Sequence, residues 1–317
     1  MSQTPLSPTI KQNSLRDKKN NLYSHLEKSF EEYGETWQSF YPGLSFSFFI
    51  NHFYEYCGNR FPRDSFFNQW FGGLIELKWK RYSSLLDLGK PLSYITKSGY
   101  FFETEFYVDE RVLIPRFETE VLLEEIIKEL NQLDKKSQQV IEMAEVGVGP
   151  GTLSLSVAQL NYKNGLNIVA GDLSQDALDV CRLNLFRLGF SIPNKNRVSL
   201  ICSDRLAKMK GSYDLIYSNP PYIKRQGDLE DVHNNVVKNE PEVALFLEDE
   251  EYENWFQLFF EQVNTCLKEG GLFLMEGHEK HLQSLLKKIK ETFSCEGSVI
   301  QDLNGRDRLL KIRKING

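Results

Sequence analysis

The spacing of hydrophobic residues predicts a small helical domain in the first part of the chain. Leu, Phe, Tyr and Trp recur at helical intervals over Leu22–Phe40 and Asp64–Leu88, which predicts two helices within a domain spanning 21–88. The aromatic segment Phe46–Tyr56 is better explained as the core of this domain than as a surface for stacking bases. The polar residues 1–20 before it are expected to form a disordered tail.

Beyond a linker over 89–115, the pattern changes to that of an α/β domain. Tyr100–Val108 alternates and predicts a β-hairpin, whereas Thr119–Leu130 has the spacing of an amphipathic helix. From Val140 onward, short apolar runs without alternation are separated by loops and helical stretches, as in a parallel sheet covered on both faces. The predicted strands are Ile141–Val146, Asn167–Ala170, Val198–Ile201, Leu215–Tyr217 and Leu272–Met275, followed by a final edge strand from Gly305 to Ile312. We therefore predict a Rossmann-like, doubly wound α/β domain over 116–317.

Composition restricts the partners and the compartment. The net charge of -6 argues against an enzyme whose main partner is a nucleic acid backbone. The five cysteines are scattered without Cys-x-x-Cys spacing, which fits a reducing cytoplasm. No apolar run reaches the roughly 20 residues of a membrane span. His278 and His281 are close in sequence but lack a third ligand, so we expect them to be solvated. We therefore predict a cytoplasmic monomer without a metal, a membrane or a stably bound nucleic acid.

A glycine-rich loop is the first candidate for chemistry. Glu145-Val-Gly147-Val-Gly149-Pro-Gly151 follows a predicted strand and opens a helix. Glycines let the backbone turn sharply and allow a ligand to approach main-chain N–H groups. Such a loop alone also occurs as a structural turn, and its spacing differs from the Gly-x-Gly-x-x-Gly of dinucleotide sites. The spacing suits S-adenosylmethionine, which has no pyrophosphate to be bound.

Two carboxylates after the next strands strengthen this interpretation. Asp172 ends the strand that follows the loop, where an acidic residue can accept hydrogen bonds from both ribose hydroxyls. Its alternative role is to cap the helix that begins near Ser174. Asp204 follows the next strand and could accept the adenine amino group, or it could be a loop carboxylate in water. Together the loop and the carboxylates predict a site for S-adenosylmethionine, with S-adenosylhomocysteine as the product.

The second candidate is the motif Asn219-Pro220-Pro221-Tyr222, which comes at the end of a predicted strand, where open α/β sheets bind ligands. An amide nitrogen is a poor nucleophile because its lone pair is delocalised, so its N–H bonds must be held and the nitrogen aimed. The Asn219 side-chain oxygen and the Pro220 carbonyl offer two acceptors, and the Tyr222 ring can stack on the amide. The motif predicts methylation of an NH2 nitrogen and does not itself distinguish glutamine from adenine, cytosine or guanine.

Further motifs occur in a fixed order over residues 81–313. They are Gly89–Ile95, Phe106–Asp109, Val112–Glu120, the glycine loop, Asp172–Ser174, Asn219–Ile223, Glu240–Leu245, Gly270-Gly271 and Gly305–Arg308. With this set the chain resembles the PrmC/HemK family of release factor glutamine methyltransferases. The resemblance implies a seven-stranded class I methyltransferase domain, preceded by a helical domain and a β-hairpin. The implied substrate is the glutamine of a Gly-Gly-Gln loop in a release factor, methylated on its side-chain amide nitrogen.

The resemblance also implies roles for individual residues. The implied cofactor-binding residues are Glu145, Gly147, Gly149, Gly151, Asp172, Asp204, Arg205 and Asn219. Asn219, Pro220, Pro221 and Tyr222 would hold the glutamine amide, and Arg116 and Glu118 would help to wall the active site. The sequence departs from the family at Phe117, where proline is usual, and at Glu145, where aspartate is usual. It also departs at Arg205, whose guanidinium could stack on adenine in place of an aromatic or apolar residue.

Some alternatives stay open at this point. Arg116 and Glu118 are expected to form a salt bridge, and Glu240 would either support the acceptor loop or face water. The alternative function is an amino-methyltransferase acting on adenine or guanine of DNA or rRNA, because Asn-Pro-Pro-Tyr also serves enzymes that flip a base out of a duplex. The net charge and the segment Val112–Glu120 favour glutamine. A partner-binding module without activity is a third alternative, which the intact Asn219–Tyr222 motif disfavours.

Overall fold

The computed structural model describes residues 25–58, 73–136 and 139–315, and the predicted tail over 1–20 lies outside this part. The chain divides into two compact units between Thr96 and Lys97. The hairpin therefore belongs to the second unit, while the segment just after residue 88 belongs to the first. The predicted four-part division, with a linker over 89–115, stays a prediction.

The first unit is helical, as predicted. Its described helices are α1 over 25–40, α2 Phe46–Tyr56, α3 Gly73–Asp87 and α4 Leu92–Thr96. The Ser45 hydroxyl caps α2 by accepting from the Phe48 N–H. Aromatic side chains form the core, in which Phe49 packs edge-on against Trp79 with ring centroids 5.7 Å apart. The aromatic segment Phe46–Tyr56 thus packs in the core of this unit, and the first residues of both predicted helices lie outside the described chain.

The second unit begins with the predicted hairpin and continues with the α/β sheet. Its strands are β1 Gly99–Phe101, β2 Thr104–Phe106, β3 Ile141–Val146, β4 Leu166–Asp172, β5 Arg197–Cys202, β6 Tyr213–Ser218, β7 Ile223–Lys224, β8 Phe246–Leu247, β9 Leu267–Glu276, β10 Cys295–Gln301 and β11 Asp307–Lys314. Its α-helices are α5 Glu120–Lys136, α6 Thr152–Ala158, α7 Gln175–Leu188, α8 Asn234–Asn239, α9 Tyr252–Cys266 and α10 Leu282–Thr292. β1 and β2 pair antiparallel, which confirms the hairpin.

The large sheet has seven strands in the order β10-β11-β9-β6-β3-β4-β5, which confirms the predicted doubly wound class. The pairs from β9 to β5 are parallel, whereas β11 is antiparallel to both of its neighbours. The expectation that the last strand lies at the edge is wrong. β11 is inserted between β9 and β10, and the edge is formed by β10, a strand that the sequence pattern did not predict.

Both faces of the sheet are covered, which explains why the strands lack polar alternation. Along β3, Met143 packs into one hydrophobic cluster with α5, α6 and α7. The next residue, Ala144, packs into a second cluster with α9 and α10 on the opposite face. Because successive strand residues point to opposite faces, a strand covered on both faces has apolar residues on both of them and shows no polar alternation.

The parallel strands bring three loops to one edge of the sheet. β3 lies between β4 and β6, and Val146 is level with Gly171 on one side and Ser218 on the other. The loops that leave these three strands therefore start side by side at the carboxyl edge, where doubly wound sheets bind ligands. In the described part of the chain, no helix has the length and hydrophobicity needed to cross a membrane.

Candidate functional site

The glycine-rich loop turns back on itself at the end of β3. The N–H groups of Gly147 and Val148 both donate to the Gly171 carbonyl, at 2.9 Å and 3.0 Å. Gly147, Gly149 and Gly151 all have positive φ, which side chains disfavour. A Cβ at Gly151 would lie 2.8 Å from the Cys181 sulfur, so this position has no room for a side chain. The loop thereby leads into α6 with no side chain at these three positions.

Asp172 ties this loop to the end of β4. Its Oδ2 accepts from the Gly149 N–H and its Oδ1 accepts from the Ser174 N–H, both at 2.9 Å. The helix cap on α7 is the Ser174 hydroxyl, which accepts from the Ala177 N–H. Burial raises the pKa of Asp172, and the backbone hydrogen bonds oppose that rise. The alternative role of Asp172 as the helix cap is therefore filled by Ser174.

A cavity of about 330 Å³ lies over this sheet edge. It is lined by the glycine loop, by Glu145, Asp172, Asp204 and Arg205, by the acceptor motif as far as Pro221, and by Arg116, Thr119, Phe246 and Trp255. The cavity thus brings together all of the residues predicted to bind the cofactor except Gly151, which does not line it. Glu118 and Tyr222 are not among its lining residues.

Glu145 is the most buried titratable residue of the cavity wall and is 1% exposed. Its Oε2 accepts from the Ser154 N–H at 3.0 Å and also contacts the Ser154 hydroxyl. That hydroxyl also lies 2.8 Å from the Tyr217 hydroxyl. Burial raises the pKa of Glu145 to about 8, against the lowering effect of the Ser154 hydrogen bonds. The Glu145 side chain, which is longer than the aspartate usual in the family, therefore places its carboxylate against the start of α6.

The wall beyond Asp204 is built by an arginine and a tryptophan. Arg205 has φ +49, is buried, and donates through Nη2 to Asp204 at 2.8 Å. Its guanidinium carbon lies 5.0 Å from the centre of the Trp255 ring, a cation–π contact. Its Nε is buried without a hydrogen-bond partner in the described chain. Sequence reasoning missed Trp255, because nothing near Asp204 in sequence indicates that α9 closes this side.

The acceptor motif starts directly beside the glycine loop. A Cβ at Gly147 would lie 3.5 Å from the Asn219 carbonyl oxygen, and the Ser218 hydroxyl donates to the Val146 carbonyl at 2.8 Å. The Asn219 Nδ2 donates to the Thr119 hydroxyl oxygen at 3.0 Å. With its nitrogen used in this way, the Asn219 side chain has its oxygen left to accept a hydrogen bond.

A second cavity, of about 240 Å³, adjoins the acceptor motif. Tyr222 lines this second cavity, together with residues of the segment around His233. Arg116, Asn219 and Pro220 line both cavities. The Tyr222 hydroxyl donates to Glu276 Oε1 at 3.1 Å, and Glu276 is fully buried at the end of β9. The motif thus forms a partition between two cavities.

The predicted ion pair between Arg116 and Glu118 is wrong. Arg116 donates through Nη2 to Glu240 Oε1 at 2.6 Å, and the Ile114 N–H donates to Glu240 Oε2 at 3.0 Å. The Glu118 side chain is exposed instead, so it contributes to neither cavity wall. Glu240 does not face water, because its side chain is only 2% exposed. It supports the wall segment that precedes α5.

His278 and His281 are not the solvated pair that their spacing predicted. The fold brings Asp228 to them, and one ligand atom from each of the three residues lies within 4.8 Å of the others. This geometry could hold a metal ion. The groups are already hydrogen-bonded, since His281 Nε2 lies 2.8 Å from Asp228 Oδ2 and the Lys280 N–H donates to His278 Nδ1 at 3.2 Å. The expectation that the chain needs no metal stays a prediction.

Comparisons with known proteins agree with this architecture. The model of the methyltransferase small domain matches residues 118–244. The release factor glutamine methyltransferase of Lactococcus lactis subsp. lactis is 33% identical over 232 residues, covering 73% of this chain and 80% of that relative. That of Flavobacterium psychrophilum is 30% identical over 239 residues, covering 74% and 80%. The solved catalytic domain of hMettl16 in complex with the MAT2A 3'UTR hairpin 6 shares the fold, with a TM-score of 0.50, 14% identity, and coverage of 66% of this chain and 74% of that chain.

Proposed function

The chain belongs to the family of release factor glutamine methyltransferases, and on that premise we propose how its residues carry out the reaction. The protein is an S-adenosylmethionine-dependent methyltransferase that methylates a glutamine of a release factor. We propose that the glutamine is the one in the Gly-Gly-Gln loop and that its side-chain amide nitrogen receives the methyl group.

The residues of the larger cavity fit S-adenosylmethionine. Gly147 and Gly149 line the cavity without side chains, and a Cβ at Gly151 would clash with Cys181. We propose that Asp172 holds the ribose, because its carboxylate lines the cavity while its backbone partners fix its position. Asp204 and the Arg205–Trp255 pair form the polar and flat walls that an adenine ring requires. When bound, the cofactor supplies a methyl group carried by a positively charged sulfur.

The observation that carries the proposal is the partition formed by Asn219 and Pro220. Both residues line the cofactor cavity and the second cavity, and so do Leu113, Arg116 and Ala244, so a group in the second cavity lies next to the cofactor site at the acceptor motif. We propose that the glutamine amide enters there and that its two N–H bonds are accepted by Asn219 Oδ1 and the Pro220 carbonyl. Tyr222 lines the same cavity and offers its ring to the amide.

The main difficulty of the reaction is that the amide nitrogen is a weak nucleophile, and the Asn219 oxygen and the Pro220 carbonyl address this difficulty. Two fixed acceptors orient the nitrogen, and alignment of this kind is worth several powers of ten in rate. The cofactor would supply the methyl group, and the nitrogen that receives it would release a proton to solvent, since that proton becomes acidic only after methylation. We therefore propose that the residues position the amide and that a strong base is not required.

Mass spectrometry of a release factor incubated with the enzyme and S-adenosylmethionine tests the proposal. We expect a gain of one methyl group on the Gly-Gly-Gln glutamine with the wild-type enzyme and none with Asn219→Ala. Cofactor binding by Asn219→Ala, measured by calorimetry, is the control and should stay within about threefold, because the other cavity residues are unchanged. Equal methylation by both proteins would show that Asn219 has been given the wrong role.

The same assay separates the alternative substrate class. Labelled methyl groups in adenine or guanine of DNA or rRNA, with none in the release factor, would identify a nucleic acid amino-methyltransferase. The net charge of -6 supports the protein substrate. We further propose that the enzyme works in the cytoplasm as a monomer without a metal. The five free cysteines support a reducing compartment.

A further inference from the structure

The amino acid end of S-adenosylmethionine carries a carboxylate, which needs hydrogen-bond donors when a cavity encloses it. The glycine loop is a poor source of these donors, because its N–H groups are already used. Those of Gly147 and Val148 donate to a carbonyl at the end of β4, and that of Gly149 donates to Asp172. The N–H of Gly151 donates to the Val148 carbonyl at 2.8 Å, and the remaining position of the loop is a proline. A side chain is therefore the better candidate to hold the carboxylate.

Among the described residues that line the larger cavity, three are cationic, namely Arg111, Arg116 and Arg205. Arg205 donates to Asp204 in the wall proposed for adenine. Arg116 donates to Glu240 and also lines the second cavity, in which we place the substrate. Arg111 lines the larger cavity and not the second. It is therefore the arginine that faces the cofactor site alone.

The guanidinium of Arg111 is held by Asp109. Its Nε donates to Oδ1 at 2.9 Å and its Nη2 donates to Oδ2 at 2.7 Å. The Arg111 N–H and the Tyr107 hydroxyl also donate to this carboxylate, at 3.1 Å and 2.9 Å, so both of its oxygens are occupied. A guanidinium has five N–H donors, and the pair uses two of them. The donors on Nη1 and the second hydrogen of Nη2 remain for another acceptor, on a group whose direction is already fixed.

A buried amide joins the segment that carries Arg111 to the glycine loop. Asn184, on α7, is fully buried. Its Oδ1 accepts from the Tyr107 N–H at 2.7 Å, and its Nδ2 donates to the carbonyls of Tyr107 and Pro150, each at 2.9 Å. The position of Arg111 relative to the loop is therefore set by hydrogen bonds on both sides of one side chain.

The order of the strands gives the larger cavity two ends. β5, β4 and β3 are neighbours, so Asp204, Asp172 and the glycine loop follow one another along the sheet edge. With adenine at Asp204 and ribose at Asp172, the amino acid end of the cofactor extends toward the glycine loop. We propose, building on the proposed function, that Arg111 binds the carboxylate of S-adenosylmethionine there, with Asp109 as the residue that positions its guanidinium.

This role concerns recognition and not the chemical step. The carboxylate of the cofactor takes no part in methyl transfer, so its partner should affect how tightly the cofactor binds and not how fast the bound cofactor reacts. Arg111 would thus make the enzyme select cofactors with a complete amino acid end over those that lack the carboxylate.

Calorimetric titration with two compounds tests the proposal. One is S-adenosylmethionine, and the other is its decarboxylated form, which keeps the adenosine, the sulfonium and the amine. We expect the wild type to prefer S-adenosylmethionine by about 10- to 30-fold, the lower part of the range for charged hydrogen bonds because the Arg111 side chain is 40% exposed. Arg111→Met should reduce this preference to less than about threefold. Lys97→Met is the matched control, because it removes a similarly exposed cation that does not line the cavity, and it should keep the full preference.

Kinetics at saturating S-adenosylmethionine separate this role from substrate binding. Arg111→Met should keep kcat, and KM for the release factor, within about threefold of the wild type. The proposal is overturned if Arg111→Met keeps the wild-type preference, if the wild type binds both compounds equally, or if Lys97→Met loses the preference to the same degree.

Failure of the proposed function gives a different result. A wild-type enzyme that binds neither compound, or that does not methylate the release factor, would refute that function. If Arg111→Met does not fold, Arg111→Lys decides the question, because lysine keeps the charge and loses the paired donors. It should lower the preference by at least about threefold, and an unchanged preference would overturn the role of Arg111.

Discussion

The Glu240 carboxylate accepts a 2.6 Å hydrogen bond from Arg116, although 124 residues separate the two in sequence. Its second oxygen accepts from the Ile114 N–H, so one buried side chain holds both ends of the segment that walls the acceptor side. The shape of the partition therefore depends on a carboxylate that belongs to neither the glycine loop nor the acceptor motif.

Glu240→Ala should destabilise the fold by about 1–3 kcal/mol, because it leaves the Ile114 N–H and the Arg116 guanidinium without their acceptor. The Arg116 side chain is 30% exposed, so water will replace part of the lost interaction. Urea unfolding measures the change. Glu118→Gln is the matched control and should stay within about 0.5 kcal/mol, since that side chain is exposed. Equal effects of the two substitutions would restore the rejected Arg116–Glu118 pair.

Asp172→Ala should weaken S-adenosylmethionine binding by about 10- to 150-fold, the effect of about 1.5–3 kcal/mol for hydrogen bonds to a charged group. The substitution also removes the acceptor for the Gly149 N–H, so the glycine loop loses one of its fixed points. Calorimetric titration measures the affinity. Asp176→Ala, an exposed carboxylate in the first turn of α7, should leave the affinity unchanged. Wild-type affinity in Asp172→Ala would rule out its ribose-binding role.

Glu145 should make the stability of the cofactor-free protein depend on pH. Burial raises the pKa of Glu145 from the ordinary value of 4.5 to about 8, so between these values the folded state keeps a proton that the unfolded chain has lost. The stabilising contribution of this proton is present below pH 4.5 and is lost as the pH rises toward 8. Glu145→Gln should reduce this decline by about 1–4 kcal/mol, measured by urea unfolding at several pH values. Parallel pH curves for the two proteins would show that Glu145 is ionised in the fold.

The central strands were predicted well from the sequence because strands that are buried on both faces contain short runs of apolar residues. Ile141–Val146 has the predicted bounds, and β4 extends the predicted run to the polar Asp172. The strand β10 was missed because its residues are only partly covered, and Glu296, Ser298 and Gln301 interrupt the apolar pattern.

The site was predictable as far as its motifs are continuous in sequence. The glycine loop and the acceptor motif are local signals, and the fold does bring them together at the carboxyl edge of β3 and β6. The contacts that support them are not local. Trp255 comes from α9 and Glu276 from β9, and no periodicity in either element distinguishes these residues from ordinary core positions. Pairing across the sheet is a property of topology, which a residue pattern does not specify.

The insertion of β11 between β9 and β10 also determines the order in which this side of the sheet can assemble during synthesis. A chain leaving the ribosome releases β9 first and then β10, but these two strands are not neighbours in the finished sheet. Each must wait for β11, which is translated after both and pairs with both. Until that strand emerges, the antiparallel edge of β9 stays open and β10 has no place to bind, so this side of the domain closes in a single late event that depends on non-local contacts.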